Sequence, residues 1–146
     1  MDFKAERFPL YLLLRENNED GIEIATKAFE QAQNGGDEEK YNFALGIQTI
    51  AYGLYAPGQT EEINKETLKA CLAVFEEQGA RHAPSAFMAA YNRLNGFGCE
   101  PDKAAARKWL DTAEKLGGTN VAIQELRQQA AEPKKKGFFD KFKPKF

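Results

Sequence analysis

The chain predicts an all-α fold, an α/α solenoid of antiparallel helix pairs with six to seven helices. Three observations predict it. Apolar residues recur at spacings of three and four in one segment after another, the period of a helix face. No segment shows the alternating pattern of a half-buried strand. One plan of helix, loop and helix is used twice. The clearer copy runs through Ala86, Ala90, Tyr91 and Leu94, then Gly96-Phe97-Gly98, then Asp102, Ala106, Trp109, Ala113 and Gly117. The earlier copy runs through Ala44, Leu45, Ala51 and Gly53, a loop, then Leu68, Cys71, Leu72, Phe75 and Gly79. The closing glycines, Gly79 and Gly117, lie 38 residues apart. A period of that size, made of helix pairs, marks arrays in which each pair buries its apolar face against a neighbour.

Each element follows from local signals. Pro9 suits the first turn of a short helix carrying Leu10, Tyr11, Leu13 and Leu14, with its end near Asn17-Asn18. Ile22, Ala25, Ala28, Phe29 and Ala32 give the next helix one face, and Asn34-Gly35-Gly36 stops it. Asp37 is the expected N-cap of the third, with Glu38 and Glu39 favourable at the positive end of the helix dipole. That helix carries two apolar stripes, Ala44, Leu45, Ala51 and Tyr52 on one and Phe43, Ile47, Ile50 and Leu54 on the other. A helix apolar on two faces belongs between neighbours. Ala56-Pro57-Gly58-Gln59 reads as loop, and Asn64 as the cap of the helix bearing Leu68, Cys71, Leu72 and Phe75. Pro84 opens a helix that ends at Asn95-Gly96. Pro101 pre-sets the first turn of the Trp109 helix, which Gly117-Gly118 ends. Thr119 or Asn120 caps the last helix, whose apolar face is Ile123, Leu126 and Ala130. The alanines at 86, 89, 90, 105, 106 and 113 let paired helices approach closely, with Trp109 as the large knob among them.

The Gly-x-Gly loop, Asp102, the Ala106-x-x-Trp109 step and Ala113…Gly117 together resemble the Sel-one-like repeat family, a branch of the tetratricopeptide-type α/α repeats. The better copy covers about a quarter of the chain, and with the degenerate one the resemblance extends over roughly 41–121. Arg93 stands where the family usually has Tyr, Cys99 where it has a loop Val, and Cys71 where the first copy would carry its Trp. The resemblance implies a right-handed solenoid and adaptor roles in protein–protein contact, in bacteria often as small regulatory or defence proteins. It implies no particular ligand. The expected organisation is a helical repeat domain over 1–133, with 41–79 and 83–121 as its clearest repeats, and a basic, Phe-rich tail over 134–146.

Composition narrows the function classes. The formal net charge is −2 over 146 residues. Residues 134–146 carry six lysines and one aspartate, a net +5, which leaves −7 on residues 1–133. An acidic body is poorly suited to phosphate backbones, so no nucleic-acid partner is expected. Met1–Asn18 holds Asp2 and Glu6, and its apolar run Leu10–Leu14 is too short for a secretory signal. No segment approaches the ~18 apolar residues of a membrane span. With two cysteines, Cys71 and Cys99, read as reduced packing or loop residues, a cytoplasmic protein is the expectation.

Catalytic chemistry finds little to work with. The chain has one His, His82, and one Ser, Ser85. Three residues apart at a helix start, they are not expected to meet in nucleophilic geometry, and His82 reads as a linker between hairpins. Cys71, His82 and Cys99 lack the spacing and the fourth ligand of a zinc site. Gly96-Phe97-Gly98 fails as a dinucleotide fingerprint, because no strand precedes it and Pro101 holds the third glycine position. Glu61, Glu62, Glu66, Glu76 and Glu77 read as a solvated face without a general acid and base pair. No catalytic residue, cofactor or metal is expected.

What remains is a surface. In stacked helix pairs the first helices line the concave side. Here they offer Tyr41, Gln48, Tyr52, Tyr55, Tyr91, Asn92 and Arg93, with Tyr55 and Arg93, next to loops, preferred. Tyr and Arg are enriched among binding hot spots. The tail adds Lys134, Lys135, Lys136, Phe138, Phe139 and Phe142. Three readings of it compete: first a disordered solubilising end, then a weak membrane- or protein-docking peptide, and last a segment folded back on the acidic body. The expected function is a non-enzymatic protein-binding module whose partner is another protein or peptide. Its size, its charge and the family resemblance suit a compact adaptor or inhibitor, such as a bacterial immunity protein facing a basic toxin. The alternative is a membrane-associated regulator recruited through weak contact of its tail.

Overall fold

The computed structural model describes residues 4–12, 19–53 and 61–131. Tyr55, Leu54 and the whole tail, with Lys134, Lys135, Lys136, Phe138, Phe139 and Phe142, lie outside the described residues. All regular structure among those described is helical. A 3-10 turn at Ala5–Arg7 leads into helical residues 9–12. Six α-helices follow: α1 (Glu19–Asn34), α2 (Asp37–Gly53), α3 (Glu61–Gln78), α4 (Ala83–Asn95), α5 (Lys103–Gly117) and α6 (Val121–Ala130).

Each helix packs chiefly on its neighbours in sequence. Two apolar clusters result. The first gathers Phe8, Tyr11, Ala32, Phe43, Ala44, Ile47, Val74 and Phe75 from the first half of the chain, with Met88 and Ala89 of α4. The second joins Ala86 and Ala90 of α4 to Ala106, Leu110 and Ala113 of α5 and Ile123, Leu126 and Ala130 of α6. Trp109 and Phe87, each half-buried, touch both clusters. Helix α4 therefore divides its two faces between the cores. Helix α2 is central as its two stripes require, with Phe43, Ala44, Ile47 and Ala51 all buried.

Several caps follow the sequence signals and others move. Gly96 ends α4 in the left-handed region at φ 73°, and Asn120, not Thr119, caps α6 by accepting the Ile123 N–H. Asp37 is the first residue of α2 rather than its cap. The Gly36 carbonyl accepts the Lys40 N–H and the Gly36 N–H reaches Glu39 Oε2 at 2.8 Å, one arm of a capping box. Asn64 lies inside the first turn of α3 and is buried, because that helix is already under way at Glu61. Pro101 sits just before the true cap of α5, Asp102, whose carboxylate accepts the Ala105 N–H at 2.9 Å. Thr67, silent in the sequence, accepts the Leu10 N–H at 3.1 Å and so fixes the N-terminal helical segment to α3.

Candidate functional site

The α4 stripe Pro84, Phe87, Tyr91 has the three-then-four spacing of one helix face. At its N-terminal end, Pro84 and Phe87 line a groove of about 340 Å³ with Tyr41 of α2, Gly117 of α5 and Ile123 of α6. At its C-terminal end, Tyr91 meets Phe97 edge-on with ring centroids 5.7 Å apart. Phe97 in turn lies 5.1 Å from Tyr52 of α2, which is 63% exposed. One aromatic surface thus runs from the groove to the α4–α5 loop.

Backbone geometry in that loop explains how Phe97 is held. Gly96 and Gly98 both have positive φ, at 73° and 81°. A Cβ on Gly98 would stand 2.6 Å from the Leu68 carbonyl oxygen, so the loop backbone rests directly on α3. Asp102 N–H donates to the Arg93 carbonyl at 2.7 Å and closes the loop at its base. The Gly-x-Gly sequence is a packing turn against a helix, and Phe97 projects between its two tight points.

The sequence-predicted residues separate into three groups. Tyr41, Tyr52 and Tyr91 lie on the aromatic surface. Tyr41 is half-buried against Phe75 and His82, and burial first, then the charge of Glu38, pushes its phenol above the ordinary value. Gln48 and Asn92 do not face solvent. They are 4% and 0% exposed and exchange two amide hydrogen bonds, of 2.8 and 2.7 Å, across the α2–α4 interface. Two amides whose donors and acceptors match are stable in a core because neither is left unpaired. Arg93 is half-buried and committed to Glu76 of α3 through bonds of 2.7 and 2.8 Å. Glu76 also accepts the Trp109 indole N–H at 3.1 Å, so one carboxylate ties α3 to both α4 and α5. Phe87 and Phe97 were not singled out by the sequence, although Phe87 is one helical step from both Pro84 and Tyr91.

His82 and Ser85 correct a second expectation, for they do meet. His82 caps α4, and its Nδ1 lies 2.6 Å from Ser85 Oγ while its Nε2 lies 2.6 Å from Glu38 Oε2. With Nε2–H donating to the carboxylate, Nδ1 is free to accept the Ser85 hydroxyl. Ser85 is wholly buried and its Oγ also accepts Gln78 Nε2–H at 3.2 Å, which leaves a nucleophile no approach to substrate. The trio fastens α2 to the α3–α4 turn. Cys71 is buried with its Sγ 3.3 Å from the Ala44 carbonyl, and burial pushes its thiol far above the ordinary range. Among the described residues no group of three or more His, Cys, Asp or Glu could hold a metal ion, and no helix is long and apolar enough to cross a membrane.

No protein-family model, curated protein or solved structure matches the chain.

Proposed function

We propose that the chain is a short right-handed α/α solenoid that acts as a non-catalytic protein-binding module through its aromatic surface. Contacts at both ends of α4 and α5 support antiparallel pairing. A Cβ on Gly117, at the end of α5, would stand 2.9 Å from that of Ala83 at the start of α4, while Arg93 and Asp102 bond at the opposite ends. Stacking of one pair on the next is supported by Gln48–Asn92 between α2 and α4 and by Trp109 lying against Gly79 between α5 and α3. That pattern also agrees with the resemblance to Sel-one-like repeats.

The observation that carries the binding role is the Tyr52–Phe97–Tyr91 cluster, in which Tyr52 is exposed and the other two rings half-buried, on the same α4 face as the groove. Aromatic side chains bury large area at little entropic cost, and a partly exposed group of them on a helix face is suited to a protein or peptide partner. The acidic body favours a partner of opposite charge and speeds its approach. The test compares the native chain with a Tyr52→Ala/Tyr91→Ala variant as bait in the native host, followed by titration of each purified partner. Loss of a hot spot weakens binding about 30-fold, equivalent to ~2 kcal/mol. Equal affinity of both baits for every retained partner rejects the reading.

A further inference from the structure

We propose that the groove at the start of α4 is the docking site of the chain's own C-terminal tail, with Phe138 and Phe139 seated against Phe87 and Ile123. The inference deepens the proposed function, because the tail would occupy one end of the same face.

The groove is built for aromatic side chains. Its about 340 Å³ falls within the range of ligand clefts. Phe87 and Ile123 supply apolar floor, and small residues at Ala83, Ala113, Gly117 and Ala122 keep it open. Leu116 and Val121, at the α5–α6 junction beside the groove residues Gly117 and Ala122, are 43% and 74% exposed. With Tyr52 they are the large hydrophobic residues left exposed among those described. A cleft with an apolar floor is suited to an apolar cover.

Reach and charge select the tail as that cover. The described chain ends at Ala131, immediately after α6, and the groove lies at the other end of that helix. Ten helical residues span ~15 Å. The seven residues from Ala131 to Phe138 extend to about 23 Å, which is enough to return along α6 and enter the groove. The tail carries +5 against −7 on residues 1–133. Glu38, beside the Tyr41 wall, keeps a carboxylate 60% exposed. Asp111 and Glu114 of α5 are both paired with Arg127 of α6, and the acidic charge on the groove side comes from the first turn of α2, which carries Asp37, Glu38 and Glu39. Lysines on both sides of Phe138-Phe139 match that field.

The test uses the full chain throughout. Trypsin cleavage at the tail lysines and NMR spectra are compared for the native protein, Phe138→Ser/Phe139→Ser and Ala122→Arg. Ala122 is an exposed helical residue on the groove wall, so its variant keeps the fold while blocking entry. Both variants are expected to raise the cleavage rate several-fold and to shift the signals of Ala83, Phe87 and Ile123. A synthetic peptide of residues 133–146 added to the Phe138→Ser/Phe139→Ser protein restores the native signals. Unchanged cleavage and spectra overturn the proposal, as do shifts confined to Tyr52 and Phe97. Tail protection that depends on protein concentration overturns it in favour of exchange between two copies. Protection that appears only with anionic phosphatidylserine vesicles overturns it in favour of a membrane. Partner binding through Tyr52 and Tyr91 is read separately, so failure of the tail assignment leaves that result standing.

Discussion

Gly79 and Trp109 show how a single residue's identity is decided across helices. A Cβ on Gly79 would come within 2.4 Å of Trp109 Cζ3, so the indole edge occupies the space that any side chain there would fill. Gly79→Ala forces the ring to move and is expected to cost about 1–3 kcal/mol. Trp109→Ala removes packing against both clusters and is expected to cost about 3–5 kcal/mol. In the double variant the alanine methyl enters the vacated space, so the two losses should sum to less than the singles when measured by urea unfolding. Strict additivity would reject the contact. The closing glycine was visible in the sequence as a repeat mark, whereas its reason, a ring thirty residues later in the chain, was not. The same limit hid Gln48 and Asn92. Read alone, each amide belongs on a surface, and only the fold reveals that each satisfies the other. Tyr52 leaves the apolar stripe on which its spacing placed it: a helix turns about 100° per residue, so Tyr52 swings out to Phe97 while its neighbour Ala51 stays buried.

At the scale of elements, what was legible was local. Helix number, the glycine stop at Gly96 and the cap at Asn120 depend on residues within one turn and were all present in the sequence. Asn64 and Pro101 misled because good cap or first-turn chemistry also occurs a few residues inside or outside a true boundary. The α4–α5 loop is the element whose role the sequence stated least. Its glycines read as a turn, but Gly98 is required by contact with the α3 backbone at Leu68 and Lys69, where no flexible side chain can give way. Gly98→Ala adds both that collision and the strain of a side chain at φ 81°. The loss in stability should exceed ~1 kcal/mol, seen as a lower urea midpoint, and displacement of Phe97 should weaken partner binding in parallel. A variant with native midpoint and native affinity would show that the loop does not rest on α3.

For the whole molecule, one end of the assembly is closed by polar contacts rather than by apolar packing, and this makes its stability respond to acid. Arg81, in the α3–α4 turn, donates to Asp37 at the start of α2 with bonds of 2.7 and 2.9 Å and also reaches the Glu77 carbonyl. Gln78 donates to the Asp37 carbonyl at 3.0 Å, and His82 meets Glu38 in the next position. The net charge on the chain conceals this arrangement, since the partners lie 41–44 residues apart. The Arg81 guanidinium holds the Asp37 carboxyl below its ordinary value of 3.8, chiefly through its hydrogen bond, which outweighs the opposing effect of burial, with its charge adding a lesser part. A lowered folded value means that the unfolded chain binds more protons than the folded one as the carboxyl titrates. The contribution of Asp37 is therefore complete well above pH 3.8 and is lost as pH falls through the lower folded value. Asp37→Asn removes this titration. Its unfolding free energy should be lower than that of the native chain at neutral pH, and should fall less steeply on acidification from pH ~5, just above the ordinary aspartate value. Urea unfolding at a series of pH values measures both slopes, and identical slopes would mean that the Arg81–Asp37 contact does not form in solution.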